Sequence, residues 1–139
     1  LYISNFFAKN KELYYSSLSS VRENGDMEHW IKFFLNGVLT TSQSSIDKFK
    51  EIIRIKETSE KKLLNLGARA KIGKELLSLL YSNIIVDTNF VAKKLNLTYP
   101  RANRLINDFC KLGILAELNK EKMRNKKYFF KDYVLLFMD

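Results

Sequence analysis

The 139-residue chain is 46% apolar and 13% aromatic, enough for one ordinary domain or two small ones with a packed core, which excludes general disorder. No apolar stretch approaches the ~20 residues that span a bilayer and no signal peptide is visible, so a membrane partner is not expected. The net charge is +9, of which residues 68–139, with 14 Lys+Arg against 7 Asp+Glu, hold +7, and this excess favours a polyanionic partner for the C-terminal half. A single cysteine, Cys110, excludes an internal disulfide and fits a reducing cytoplasm, with Cys110 as a small filler beside Phe109. The chain opens on Leu1 and an apolar run, LYISNFF, and is expected to be a fragment lacking some N-terminal sequence.

In chain order, Ser4 can cap a helix running to about Asn24, with Phe7, Tyr14, Leu18 and Val21 on one stripe. Gly25 suits a left-handed position after that helix, and Asp26 caps the next almost at once. From Met27 the chain has no proline and one glycine, Gly37, before Gly67. Ile31, Phe34, Leu35, Val38, Ser42, Ile46, Phe49, Ile53, Lys56 and Leu63 follow helical spacing, as one long helix or two nearly continuous ones. Its first part is apolar on much of its circumference, as in a helix buried in a larger domain. Trp30, Phe33 and Phe34 read as a helix interface, Gly37 as a close contact or a mild kink, and Gly67 as a stop.

A second unit is expected from about Ala68, dividing the chain into 1–67 and 68–139. Ile72, Leu76, Leu79 and Leu80 mark a helix ending near Ser82-Asn83. The β-branched segment IIVDT follows, then a short capped helix with Val91, Ala92 and Leu95 inward. After a turn at Asn96-Leu97, the stretch Thr98–Leu112 carries the strongest pattern in the chain. Thr98 is placed to N-cap and Pro100 sits in the first turn, where a missing N–H costs nothing. Ala102, Leu105, Ile106 and Phe109 form one apolar stripe, which turns Tyr99, Arg101, Asn103 and Arg104 towards solvent or a ligand. Two arginines and two hydrogen-bonding side chains at a helix N-terminus suit a major groove. After Gly113, ILAEL reads as a strand, NKEKMRNK as a basic hairpin loop, YFF as the returning strand and YVLLFMD as a short helix or strand. The order of helix, helix, turn, helix and two-stranded ribbon is that of a winged helix, and Lys122, Arg124, Lys126 and Lys127 then extend from the wing towards a phosphate backbone. The expected fold is mainly α, a helical segment followed by a winged helix-turn-helix with a small two-stranded β-wing.

The phrases LYISNFFAKNKELYYSSL and VRENGDMEHWIKFFLNGV resemble the C-terminal helices of the Fic domain, which in many members precede a winged helix. The resemblance covers essentially the whole chain. It implies a parent protein that moves AMP from ATP onto a target-protein hydroxyl, with Mg²⁺, through a His-Pro-Phe-x-(Asp/Glu)-Gly-Asn-Gly-Arg loop. None of those motif residues is in this sequence, so no catalytic residue and no bound cofactor is expected of the chain itself. The resemblance also implies that Tyr14 and Tyr15, matching a tyrosine pair beside the nucleotide's base, border an adenine, and an aromatic face at a pocket rim suits that role. Tyr14 has core packing as its competing role, which favours Tyr15 for the ligand.

Other chemistries find little support. One His and one Cys match no zinc spacing, the acidic residues form no calcium loop, and His29 has no Ser/Asp partners in any triad order. Asp26, Glu28 and His29 cluster at a helix start, where capping explains them. The expected activity is binding, first of DNA; the alternatives are a module that docks a target protein or dimerises, and a stand-alone transcription regulator. An apolar patch over residues 6–38 would favour a homodimer.

Overall fold

The computed structural model of the chain describes residues 3–118 and 126–138, mainly helical with one small antiparallel sheet. Two compact units, Leu1–Lys50 and Glu51–Asp139, divide within one helix. Among the described residues no helix is long and apolar enough to cross a membrane.

The first unit holds α1 (Ile3–Lys9), α2 (Lys11–Asn24) and the start of α3 (Met27–Leu63). The helix expected from Ser4 to Asn24 is thus two helices, and Ser4 lies in the first turn of α1 rather than at its cap. The break is at Asn10 (φ −116°, ψ 40°), whose side-chain and backbone N–H groups both donate to the Phe6 carbonyl, at 2.9 and 3.0 Å. A side chain that competes in this way for helix carbonyls ends one turn and lets the next begin. Gly25 (φ 69°) closes α2 in the left-handed region, and the Asp26 carboxylate accepts the His29 N–H at 3.0 Å, capping α3.

Aromatic rings join these helices. Phe7 stacks on Phe33 at 5.9 Å between centroids, Tyr14 meets Trp30 edge-on at 5.7 Å, and Phe6 lies 5.5 Å from Phe33. At Gly37 a Cβ would come within 2.8 Å of the Phe6 ring, so glycine here serves close packing, and α3 runs through it without a break. In this unit the only buried described residues are Ser17 and Gly37; every described large apolar side chain keeps some exposure.

In the second unit α3 ends at Leu63 and a 3-10 segment, Leu64–Arg69, contains Gly67 at φ 56°, ψ −125°, a conformation that stops helix propagation. Then come α4 (Ala70–Ser82), β1 (Ile85–Asp87), α5 (Thr88–Lys94), α6 (Tyr99–Lys111), β2 (Leu115–Glu117), β3 (Lys127–Phe130) and α7 (Lys131–Leu135). The core is made where their apolar faces meet: Leu63, Leu76, Leu80, Val91, Ala102, Ile106, Phe109 and Phe130 are each fully buried. Arg69 pairs with Asp108, tying the 3-10 segment to α6.

The expected two-stranded ribbon is a three-stranded sheet in the order β1-β3-β2, both pairs antiparallel. Ile85 lies opposite Phe129 and Leu115 opposite Phe130. Val86 points into the core at 2% exposure while Ile85 faces out, the alternation of a half-buried strand. The IIVDT segment supplies the third strand because β3 offers a free edge to it, a long-range pairing that three residues of local pattern do not encode. The terminal YVLL segment, open between helix and strand on sequence, is helical in α7.

Candidate nucleic-acid interface

The candidate surface is built on α6. Ala102, Leu105, Ile106 and Phe109 are all at 2% exposure or less, and that burial fixes which way the rest of the helix faces. Tyr99, Arg101 and Arg104 are exposed and Asn103 is half-buried. Thr98 occupies the N-cap position with extended backbone (φ −67°, ψ 152°), but its side chain makes no capping bond. Pro100 lies in the first turn, where its missing N–H leaves no bond unmade. The left-handed Asn96 (φ 50°) and the Leu97 N–H bonded to the Ala92 carbonyl at 2.9 Å make the turn from α5 into α6.

The sheet brings a distant segment to the same place. Tyr99 at the start of α6, Lys126 and Lys127 before and in β3, and Asp87, Thr88 and Asn89 at the start of α5 line one hollow of about 350 Å³. Three of the residues singled out from sequence therefore share a surface. The Lys126 ammonium bridges both Glu117 carboxylate oxygens, at 3.0 and 3.2 Å, and this hydrogen bond and the Glu117 charge hold its pKa above the usual value. Lys126 is thereby oriented and partly neutralised. Among the described residues no carboxylate pairs with Arg101, Arg104 or Lys127. Lys122 and Arg124 lie outside the described residues.

Asp87, Thr88 and Asn89 are members of the hollow that the sequence reading did not name. Their visible signal was a cap: the Asp87 carboxylate accepts the Phe90 N–H at 2.8 Å. Glu117 was also missed, because its partner lies nine positions on, across a hairpin.

Tyr14 and Tyr15 belong to the first unit. Tyr14 is half-buried, 5.2 Å from Phe7 and 5.7 Å from Trp30, so its ring packs in the aromatic cluster. Tyr15 is 56% exposed and meets Tyr14 edge-on at 5.3 Å, with the Lys11 ammonium 6.0 Å from its ring. Cys110 is half-buried, and burial pushes its thiol pKa up, the setting of an inert thiol rather than a nucleophile. Among the described residues no three His, Cys, Asp or Glu side chains converge on one point.

Comparison with models of protein families and with curated proteins finds no match to this chain.

Proposed function

We propose that residues 68–139 bind duplex DNA as a winged helix, with α6 entering the major groove and the β2–β3 hairpin lying along the backbone. The observation that carries this reading is the hollow shared by Tyr99, Lys126 and Lys127, which puts the N-terminus of α6 and the base of the hairpin on one surface. The exposed Arg101 and Arg104 lie within two turns of Tyr99 on the same helix and offer bidentate donors to a guanine edge or to phosphate. Residues 51–139 hold 18 basic and 10 acidic side chains against 6 and 5 in residues 1–50, so the attraction for a polyanion is concentrated in the unit that carries α6.

Within the same proposal, residues 1–67 are the C-terminal helices of a Fic-like domain, on the strength of their resemblance, and the parent protein transfers AMP from ATP with Mg²⁺. The motif that performs that reaction is not among these 139 residues, so catalysis is no part of what the chain itself is proposed to do. Tyr15, the more exposed of its pair, is then the side chain that borders the adenine.

A mobility shift with duplex DNA over a salt series tests the DNA reading. Retardation at low ionic strength that fades as salt rises is expected. No salt-dependent retardation removes the proposal.

A further inference from the structure

The N-terminal part of α3 is apolar on two opposite faces. One face, with Phe33 and Gly37, packs against the rings of α1 and α2. The other carries Leu35, Leu39, Ser42, Ile46 and Phe49, steps of four, three, four and three residues. That is the 3.5-residue repeat of a helix that pairs along a seam. Ile31 continues the stripe one turn earlier. Leu35, Leu39, Ile46 and Phe49 are 57, 69, 48 and 66% exposed, and Ile31 is 48% exposed.

We infer that this stripe is a self-association surface, covered in solution by the same stripe of a second copy of the chain. Area is the first argument. A large side chain exposes on the order of 200 Å² when free, so these five put on the order of 500–600 Å² of apolar surface on one stripe. Monomers seldom leave contiguous apolar patches above a few hundred Å² open, and a standard interface takes about 800 Å² from each partner. The stripe supplies most of such an interface before any flanking residue is counted.

The second argument is self-complementarity. A straight apolar ridge on a helix packs against its own copy about a two-fold axis, where each residue meets the partner's equivalent set. The flank at Val38, Thr41 and Ser45 is uncharged, and the other, at Asn36, Gln43, Asp47 and Lys50, mixes signs. Residues 1–50 carry six basic and five acidic side chains, a net of +1, so little charge in this unit holds two copies apart. Closure of this face would also supply what the unit lacks: among the described residues, its large apolar side chains have no fully buried position in a single copy.

The test is light scattering of the full chain over a concentration series, wild type beside Leu39→Lys/Phe49→Lys and beside Leu135→Lys, an exposed apolar site on α7. The wild type and Leu135→Lys are expected to reach twice the 16.3 kDa chain mass. The double variant should stay at the single mass with an unchanged helical circular dichroism spectrum, since both side chains are solvent-facing in one copy. A wild type that stays monomeric throughout overturns the inference, as does a double variant that associates like the wild type. Loss of association in Leu135→Lys moves the interface away from α3 and likewise overturns it.

Discussion

Arg101 occupies the third position of α6, in the first turn, where the backbone already presents positive partial charge, and Arg104 follows one turn later. No acidic residue sits in that first turn. A cation at Arg101 opposes the helix dipole by roughly 0.3–1 kcal/mol, and Arg104, one turn on, gains nothing from it, so this arrangement does not serve the helix's own stability. A bound polyanion would reverse that balance. Replacing Arg101 or Arg104 by Ala should therefore weaken duplex binding by about 1–3 kcal/mol while leaving thermal stability unchanged or slightly raised. Titration of labelled duplex alongside a melting curve reads both quantities, and a variant that loses both together would make the arginine structural.

Tyr81 presents the opposite situation. Its ring packs edge-on against Phe130 at 5.4 Å and Tyr133 at 5.8 Å, and its buried hydroxyl has no hydrogen-bond partner among the described residues. Burial first, then the Glu60 and Tyr133 charges, push its pKa from 10 to about 12. The folded state holds this proton where the unfolded chain has released it. Its contribution to stability is therefore whole below pH 10, declines as pH rises from 10 to 12, and is absent above. Tyr81→Phe should melt at or above the wild-type temperature at neutral pH and lose less stability between pH 10 and 12. An equal loss in both proteins over that interval would assign the alkaline transition to other groups.

At the level of elements, what could be read in advance followed from periodicity and capping. The stripe of Ala102, Leu105, Ile106 and Phe109 is unambiguous because thirteen residues give it nearly four turns to repeat in. The cap at Asp26 was equally visible, since a short acid before an apolar run has few other uses, and the helix after IIVDT was expected to be capped, though Asp87 was not named as its cap. Asn10 was not visible as a break, because asparagine is tolerated inside helices and its bond to Phe6 declares itself only in three dimensions. β1 escaped for a different reason. Three residues cannot establish an alternation, and its partner Phe129 lies over forty positions away. The hollow beneath Tyr99 is of the same kind, since its two lysines approach α6 only through sheet pairing. The Asp87 cap is testable on its own: Asp87→Ala should cost about 1 kcal/mol, within the usual range of roughly 0.5–2, by freeing the Phe90 N–H at the start of α5. Chemical denaturation would measure it, and Asp87→Asn, which keeps an accepting oxygen, should recover most of the loss.

For the molecule as a whole, the two units differ in what stabilises them and in what they attract. Fully buried apolar side chains belong to residues 51–139, beginning with Leu63, while residues 1–50 hold an aromatic cluster that stays partly open. The charge follows the same division. Eighteen basic residues against ten acidic ones lie in 51–139, and the near-neutral remainder adds little to any long-range field. This asymmetry makes the salt response of the proposed DNA binding a quantitative matter. Each phosphate neutralised by a lysine or arginine releases condensed counterions, lowering log K against log salt by about 0.9 for duplex DNA. Arg101, Arg104, Lys126 and Lys127, with Lys122 and Arg124 from the sequence between β2 and β3, would together give a slope near −5 if all six met phosphate. Glu117 holds Lys126, and an arginine that reads a base edge does not release counterions from a backbone phosphate, so the expected slope for the full chain lies between about −3 and −5. Glu117→Gln should steepen it by up to about one, by releasing Lys126 to the backbone. A slope near zero, with binding still measurable, would mean that the surface around Tyr99 takes an uncharged ligand, and the polyanion reading of α6 would then fail as a whole.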